Sequence, residues 1–205
     1  MAATPTTARG RATRIRILSA AAQLIFQRGV AETSVDDVIE HAGVSKSQLY
    51  HFFDDRAALL RAVVTYNAED ALGDLPEFDS WRAIRASFDL LIEQAVERSA
   101  CGGCRIGSLV GQLAETDPRT QLELAAAFER WREHLVDGLT SMQRHGKLDR
   151  RADTAVLATA TLAAIQGGFL LVQATRDPDQ LAIALDAAYA HLRAHARAPR
   201  TRPRV

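Results

Sequence analysis

Lys46, Ser47, Gln48, Tyr50 and His51 place five hydrogen-bonding side chains within six residues. Such groups can hold phosphate oxygens or reach base edges, so the segment has the chemistry to read a nucleic acid. The run that carries them, residues 34–53, has strong local signals. Ser34 is predicted to cap a short helix, with Asp37 as its capping-box partner. Asp36 and Asp37 lie where the positive end of a helix dipole favours carboxylates. Val35, Val38 and Ile39 form an apolar stripe at helical spacing. Ala42-Gly43-Val44 reads as the turn, because Gly43 can adopt positive φ cheaply and Ala42 permits close helix approach. Ser45 is predicted to cap the next helix with Gln48 in the capping-box position. Leu49, Phe52 and Phe53 then face inward and the polar side chains face out. A helix, a tight turn and a helix with a polar outer face can enter the DNA major groove. A plain αα-hairpin shares that geometry, but Tyr50 and His51 are unusual residues for a merely solvated face. Five arginines and no acid lie within residues 1–31, a local positive footprint in a chain of zero net charge.

Cys101-Gly-Gly-Cys104 is the other chemical signal. A dithiol oxidoreductase would place such a pair after a strand in a βαβ unit, and the sequence offers no strand. A zinc site needs two more ligands. His191 and His195 share one helix face, but nothing in the sequence brings them to the cysteines, so no metal is expected. A thiol at a helix N-terminus is activated, and Cys104 has that position if a helix starts near Arg105. Packing in a loop as small apolar side chains is the plainest reading.

The run from Gly29 through Thr33-Ser34-Val35, Ala42-Gly43-Val44-Ser45-Lys46, Leu49-Tyr50-His51-Phe52-Phe53 and Arg56-Ala57-Ala58-Leu59 resembles the DNA-binding domain of TetR-type transcriptional regulators. The motif spans roughly residues 11–60 and is highly specific. Beyond it the likeness is one of length and all-helical layout. The family usually has glycine where Ser47 stands, threonine where Gln48 stands and lysine where Arg56 stands. The first two departures change the base-reading face, so no relative's operator carries over. The resemblance implies a one-component repressor that binds a palindromic operator as a homodimer and is released by a small-molecule effector. It implies base contacts from Lys46, Ser47 and Gln48, and phosphate contacts from Thr33, Ser34, Tyr50, His51 and Arg56, with Ser45 beside them. It also implies a C-terminal ligand cavity, for which Trp81, Phe88, Cys104, Gln112, Phe128, Trp131, His134, Gln166 and Phe169 are candidates. Some branches carry a Gly-Cys at this place, and in some of these the cysteine responds to oxidants or electrophiles. A thiol-sensing regulator is therefore one alternative, and a small helical dithiol oxidoreductase is another.

The elements that must position these residues are all helical. At 205 residues, 47% apolar and 24% charged, the chain has a globular composition. Apolar stripes at helical spacing give about nine helices, and no segment alternates with the period of a strand. The expected organisation is a helix-turn-helix domain over 1–56 (1–10 disordered), a ligand-binding and dimerisation domain over 57–197 and a disordered tail over 198–205. Asp117-Pro118 and Asp177-Pro178 each place an acid before a proline that opens a helix. Residues 155–172 carry no charge. That stretch is barely long enough to span a bilayer. Its threonines, Gln166 and Gly167-Gly168 favour burial in an assembly instead. The expected dimer interface is Ala163, Gly167 and Leu171 with Leu181, Leu185, Ala188 and Leu192. Two cysteines and an N-terminus without an apolar core indicate a cytoplasmic protein. No cofactor or enzyme motif is found: there is no nucleophile elbow, P-loop or HExxH.

Overall fold

In the computed structural model, residues 5–73, 75–98, 103–115 and 117–197 are described. Among them are nine helices: α1 (Ala8–Arg28), α2 (Val35–Ala42), α3 (Lys46–Phe52), α4 (Arg56–Gly73), α5 (Trp81–Glu97), α6 (Gly107–Leu113), α7 (Pro118–Arg144), α8 (Thr154–Thr175) and α9 (Asp179–Ala194). No strand occurs among the described residues, and the single bridge joins Leu148 to Ala196. Residues 1–10 were expected to be irregular, yet α1 already begins at Ala8, because the Thr7 side chain caps it by accepting the Gly10 N–H. The predicted tail at 198–205 lies outside the described residues.

The chain forms two compact units. The first holds residues 1–74 and 104–128, thus α1 to α4, α6 and the start of α7. Its core is made by Ile17, Leu24, Leu49, Phe52, Val63, Ile106 and Leu109, all buried. The helix-turn-helix residues therefore share one core with α4 and α6. A helix-turn-helix segment of about 56 residues would be marginal alone. Asp117 opens α7 as the sequence predicts: its carboxylate accepts from the Thr120 hydroxyl at 2.6 Å, the Arg119 N–H at 3.2 Å and Arg61 at 3.1 Å. These bonds, the Thr120 hydroxyl foremost, push its pKa down to about 2.

The second unit holds residues 75–103 and 129–205, with α5, the rest of α7, α8 and α9. Here α8 and α9 pack tightly on each other. Gly168 makes this approach possible: a Cβ there would stand 2.7 Å from a Leu181 methyl. The packing corrects the expected dimer interface. Leu181, Leu185, Ala188 and Leu192 are buried within the subunit, three of them at 0% exposure, so the apolar stripe of α9 is spent against α8. Burial of each leucine is worth roughly 1.5–3 kcal/mol. Ala163, Gly167 and Leu171 lie on the opposite, exposed face of α8. Val156 (60%) and Leu170 (67%) share that face, and Ile183 (64%) is the large exposed apolar side chain of α9. By length and composition α8 could cross a membrane, but 44% of its most apolar window is buried in the fold.

Candidate nucleic-acid interface

The two short helices around the turn are fixed by local hydrogen bonds. Ser34 accepts the Asp37 N–H at 3.1 Å, while its own N–H donates to the Asp37 carboxylate at 2.8 Å. The Ser34 hydroxyl and backbone N–H hold the Asp37 carboxyl below its ordinary pKa. Gly43 then turns the chain in the left-handed conformation, with φ at +59°. Ser45 repeats the capping box: its hydroxyl accepts the Gln48 N–H at 3.2 Å and its N–H donates to Gln48 Oε1 at 2.8 Å. Leu49 and Phe52 bury the inner face of α3, and Phe53 follows them into the core. Lys46, Ser47, Gln48, Tyr50 and His51 remain exposed. α3 thus has a start fixed by its cap, a buried inner face and exposed polar side chains on its outer face.

Three of the expected contact residues have partners within the protein, and of these Gln48 and Arg56 are exposed. Thr33 is buried at 5% exposure, and its hydroxyl donates to the Gly29 carbonyl at 2.8 Å, so it supports the loop rather than a phosphate. Arg56 donates through Nη2 to the carbonyls of Val30 (2.5 Å) and Thr33 (3.2 Å), which makes it a clamp on residues 30–33. Gln48 uses Oε1 in the capping box, so bidentate pairing with adenine requires that box to open. Ser34, Ser45, Lys46, Ser47, Tyr50 and His51 stay on the outer surface.

The ligand candidates are divided between the two units. Cys104, Gln112 and Phe128 belong to the first unit; Trp81, Phe88, Trp131, His134, Gln166 and Phe169 belong to the second. Gln112 is a structural tie. Its Oε1 accepts the Val30 N–H at 2.7 Å and its Nε2 donates to the Ser108 carbonyl at 2.8 Å. Phe128 packs against the core of the first unit. In the second unit, Phe88, Trp131 and Phe169 are buried. Trp81 meets Tyr189 edge-on and lies under the Arg193 guanidinium. His134 Nε2 lies 3.0 Å from the Pro76 carbonyl. The Cys104 sulfur accepts the Gly107 N–H at 3.3 Å, at the head of α6. Cys101 lies outside the described residues. No cluster of three or more metal-ligating side chains occurs among the described residues.

Residues 17–63 match the family model of bacterial regulatory proteins of the tetR family. Residues 80–187 match that of the LmrA/YxaF-like transcriptional regulator C-terminal domain, which alone covers more than half of the chain. The chain belongs to the TetR family. TetR-family proteins are DNA-binding transcriptional regulators, and this chain carries the helix-turn-helix domain that defines them. It is similar to the HTH-type transcriptional regulator Rv0196 of Mycobacterium tuberculosis, with 29% identity over 176 residues, 80% of this chain and 86% of that protein. It is similar also to the transcriptional regulator AcuR of Cereibacter sphaeroides, at 28% identity over 80% of this chain and 78% of AcuR. A TetR transcriptional regulator from Chloroflexus aurantiacus shares its fold with a TM-score of 0.78 at 22% identity, over 94% of this chain and all of the other. The departures from the family pattern at Ser47 and Gln48 therefore fall on a family surface, not on a different fold.

Proposed function

We propose that this TetR-family protein is a one-component repressor that works in the cytoplasm as a homodimer on a palindromic operator. A small-molecule effector bound by its C-terminal helices would release it. The observation that carries the reading is α3, capped at Ser45, buried through Leu49 and Phe52, and exposed only at polar side chains. In this reading Lys46 and Ser47 face bases, while Ser34, Tyr50 and His51 hold phosphates. Occupancy of a promoter site is enough to repress, so no further activity is required. Dimerisation through the exposed apolar face of α8 and Ile183 would cover surface otherwise wet, and a two-fold dimer reads a two-fold site.

Selection of operator duplexes from a random pool by the purified protein tests the reading. A two-fold consensus is expected, with Lys46→Ala losing preference at one position per half-site, worth roughly 1–3 kcal/mol. Recovery of no consensus from the pool overturns it. Leu171→Arg should yield monomers in sedimentation, since a charge would enter an apolar interface unpaired.

A second reading is favoured by one observation. The Cys104 sulfur accepts the Gly107 N–H at the head of α6, and α6 carries Gln112, which holds Val30 of the helix-turn-helix unit. Modification of Cys104 by an electrophile would then release DNA. Wild type should release operator on treatment and Cys104→Ser should not. Equal release from both proteins rules this reading out.

A further inference from the structure

An open groove of 460 Å³ runs between the start of α1 and the recognition helix α3. Arg9 and Thr13 line it from α1, and Ser47, Gln48 and His51 from α3. We propose that this groove seats the sugar–phosphate backbone of one operator strand, with Arg9 as its charge. The proposal rests on the operator-binding reading above and extends the contact surface to a helix that reading does not use.

Three observations favour a nucleic-acid backbone as occupant. The lining carries an arginine, a histidine, hydroxyls and an amide, and no acid. The groove continues into Ser47 and Gln48, the side chains at the head of the exposed α3 face, so a strand read there has a path into it. Its α1 wall is also held in place, although helix ends usually fray. Pro5 lies against the first turn: a Cβ on Gly10 would come within 3.1 Å of the Pro5 Cβ. Thr7 caps that turn, and Arg11 Nη1 donates to the Thr6 carbonyl at 2.9 Å. Arg9 is exposed on this fixed turn. Thr13 donates its hydroxyl to the Arg9 carbonyl at 3.0 Å, so it supplies a wall rather than a donor. Backbone contacts of this kind position a protein on DNA without reading sequence.

The test uses the full-length protein and its selected operator, followed by fluorescence anisotropy between 50 and 200 mM salt. Arg9→Gln should weaken the operator and its single-base variants by the same factor. It should also lower the slope of log affinity against log salt by about 0.9 per subunit. Operators with one neutral methylphosphonate at each position in turn should reveal one phosphate per half-site whose neutralisation costs wild type that same factor and costs Arg9→Gln nothing more. Thr13→Trp, which fills the groove while keeping Arg9, should lose affinity likewise. Arg9→Gln alone decides the matter if Thr13→Trp does not fold by circular dichroism. An Arg9→Gln protein with unchanged affinity and slope overturns the groove and leaves operator binding intact. A loss confined to one base pair also overturns it, since Arg9 would then read a base. A wild type that selects no operator fails at the earlier step, which separates the two claims.

Discussion

The α2–α3 pair and the α8–α9 pair are both helix hairpins, but they are specified in opposite ways. Around Gly43 each helix start is fixed by a reciprocal pair of bonds between residues three apart, Ser34 with Asp37 and Ser45 with Gln48. The outer face is then free to be polar. Around Arg176 the two helices are held together mainly by apolar contact, and the face of α8 left outside is largely apolar too. Directional short-range bonds leave one solution, whereas apolar surface is satisfied by any partner that excludes water. The first hairpin is built to present a surface, the second to bury one.

Five substitutions probe that contrast, beginning with the largest effect and its exposed control. Leu185→Ala should destabilise the monomer by about 2–5 kcal/mol in a urea melt, because a fully buried leucine leaves a cavity. Ile183→Ala, two residues away and 64% exposed, should leave the same melt within about 0.5 kcal/mol and act only on assembly. Similar losses for both would show that the two faces of α9 are not distinct. Gln112→Leu should cost about 1–3 kcal/mol by leaving the Val30 N–H unpaired. Ser45→Ala should cost about 1 kcal/mol through the lost cap and should weaken operator binding along with it. The last effect is one of pH. Asp117 titrates near 2 in the fold against an ordinary 3.8, so its contribution is present above about pH 4 and fades as pH falls toward 2. Asp117→Asn should flatten acid unfolding in that window, and an unchanged midpoint would remove Asp117 from the account.

How much was legible follows the same division. Ser34, Gly43 and Ser45 could be assigned from sequence because capping needs only the next three residues. Leu49, Phe52 and Phe53 could be assigned because their spacing leaves one inward face. The backbone partners of Thr33 and Arg56 were not legible, because no residue type advertises a bond to a carbonyl. Gln112 reads as a ligand contact in sequence because its tie to Val30 spans 82 positions and leaves no local pattern. On α9 the stripe of Leu181, Leu185, Ala188 and Leu192 was correctly seen as buried but given to the wrong partner. Periodicity tells which residues leave water, not what covers them. For the ligand candidates, no sequence signal separates a cavity wall from a packed core.

The Gln112 tie bears on how such regulators can be recombined. Residues 1–56 look like a cassette that could be moved between proteins, yet the loop that starts α2 is completed from elsewhere in the chain. Val30 gives its N–H to α6, and its carbonyl and that of Thr33 take Arg56 from the head of α4. A headpiece spliced onto a foreign body at residue 57 would carry its arginine but lose its glutamine. A transplant that keeps residues 1–74 and 104–128 together carries both. The compact unit that carries the helix-turn-helix is discontinuous in this chain, and its seam lies in the segment between α4 and α6.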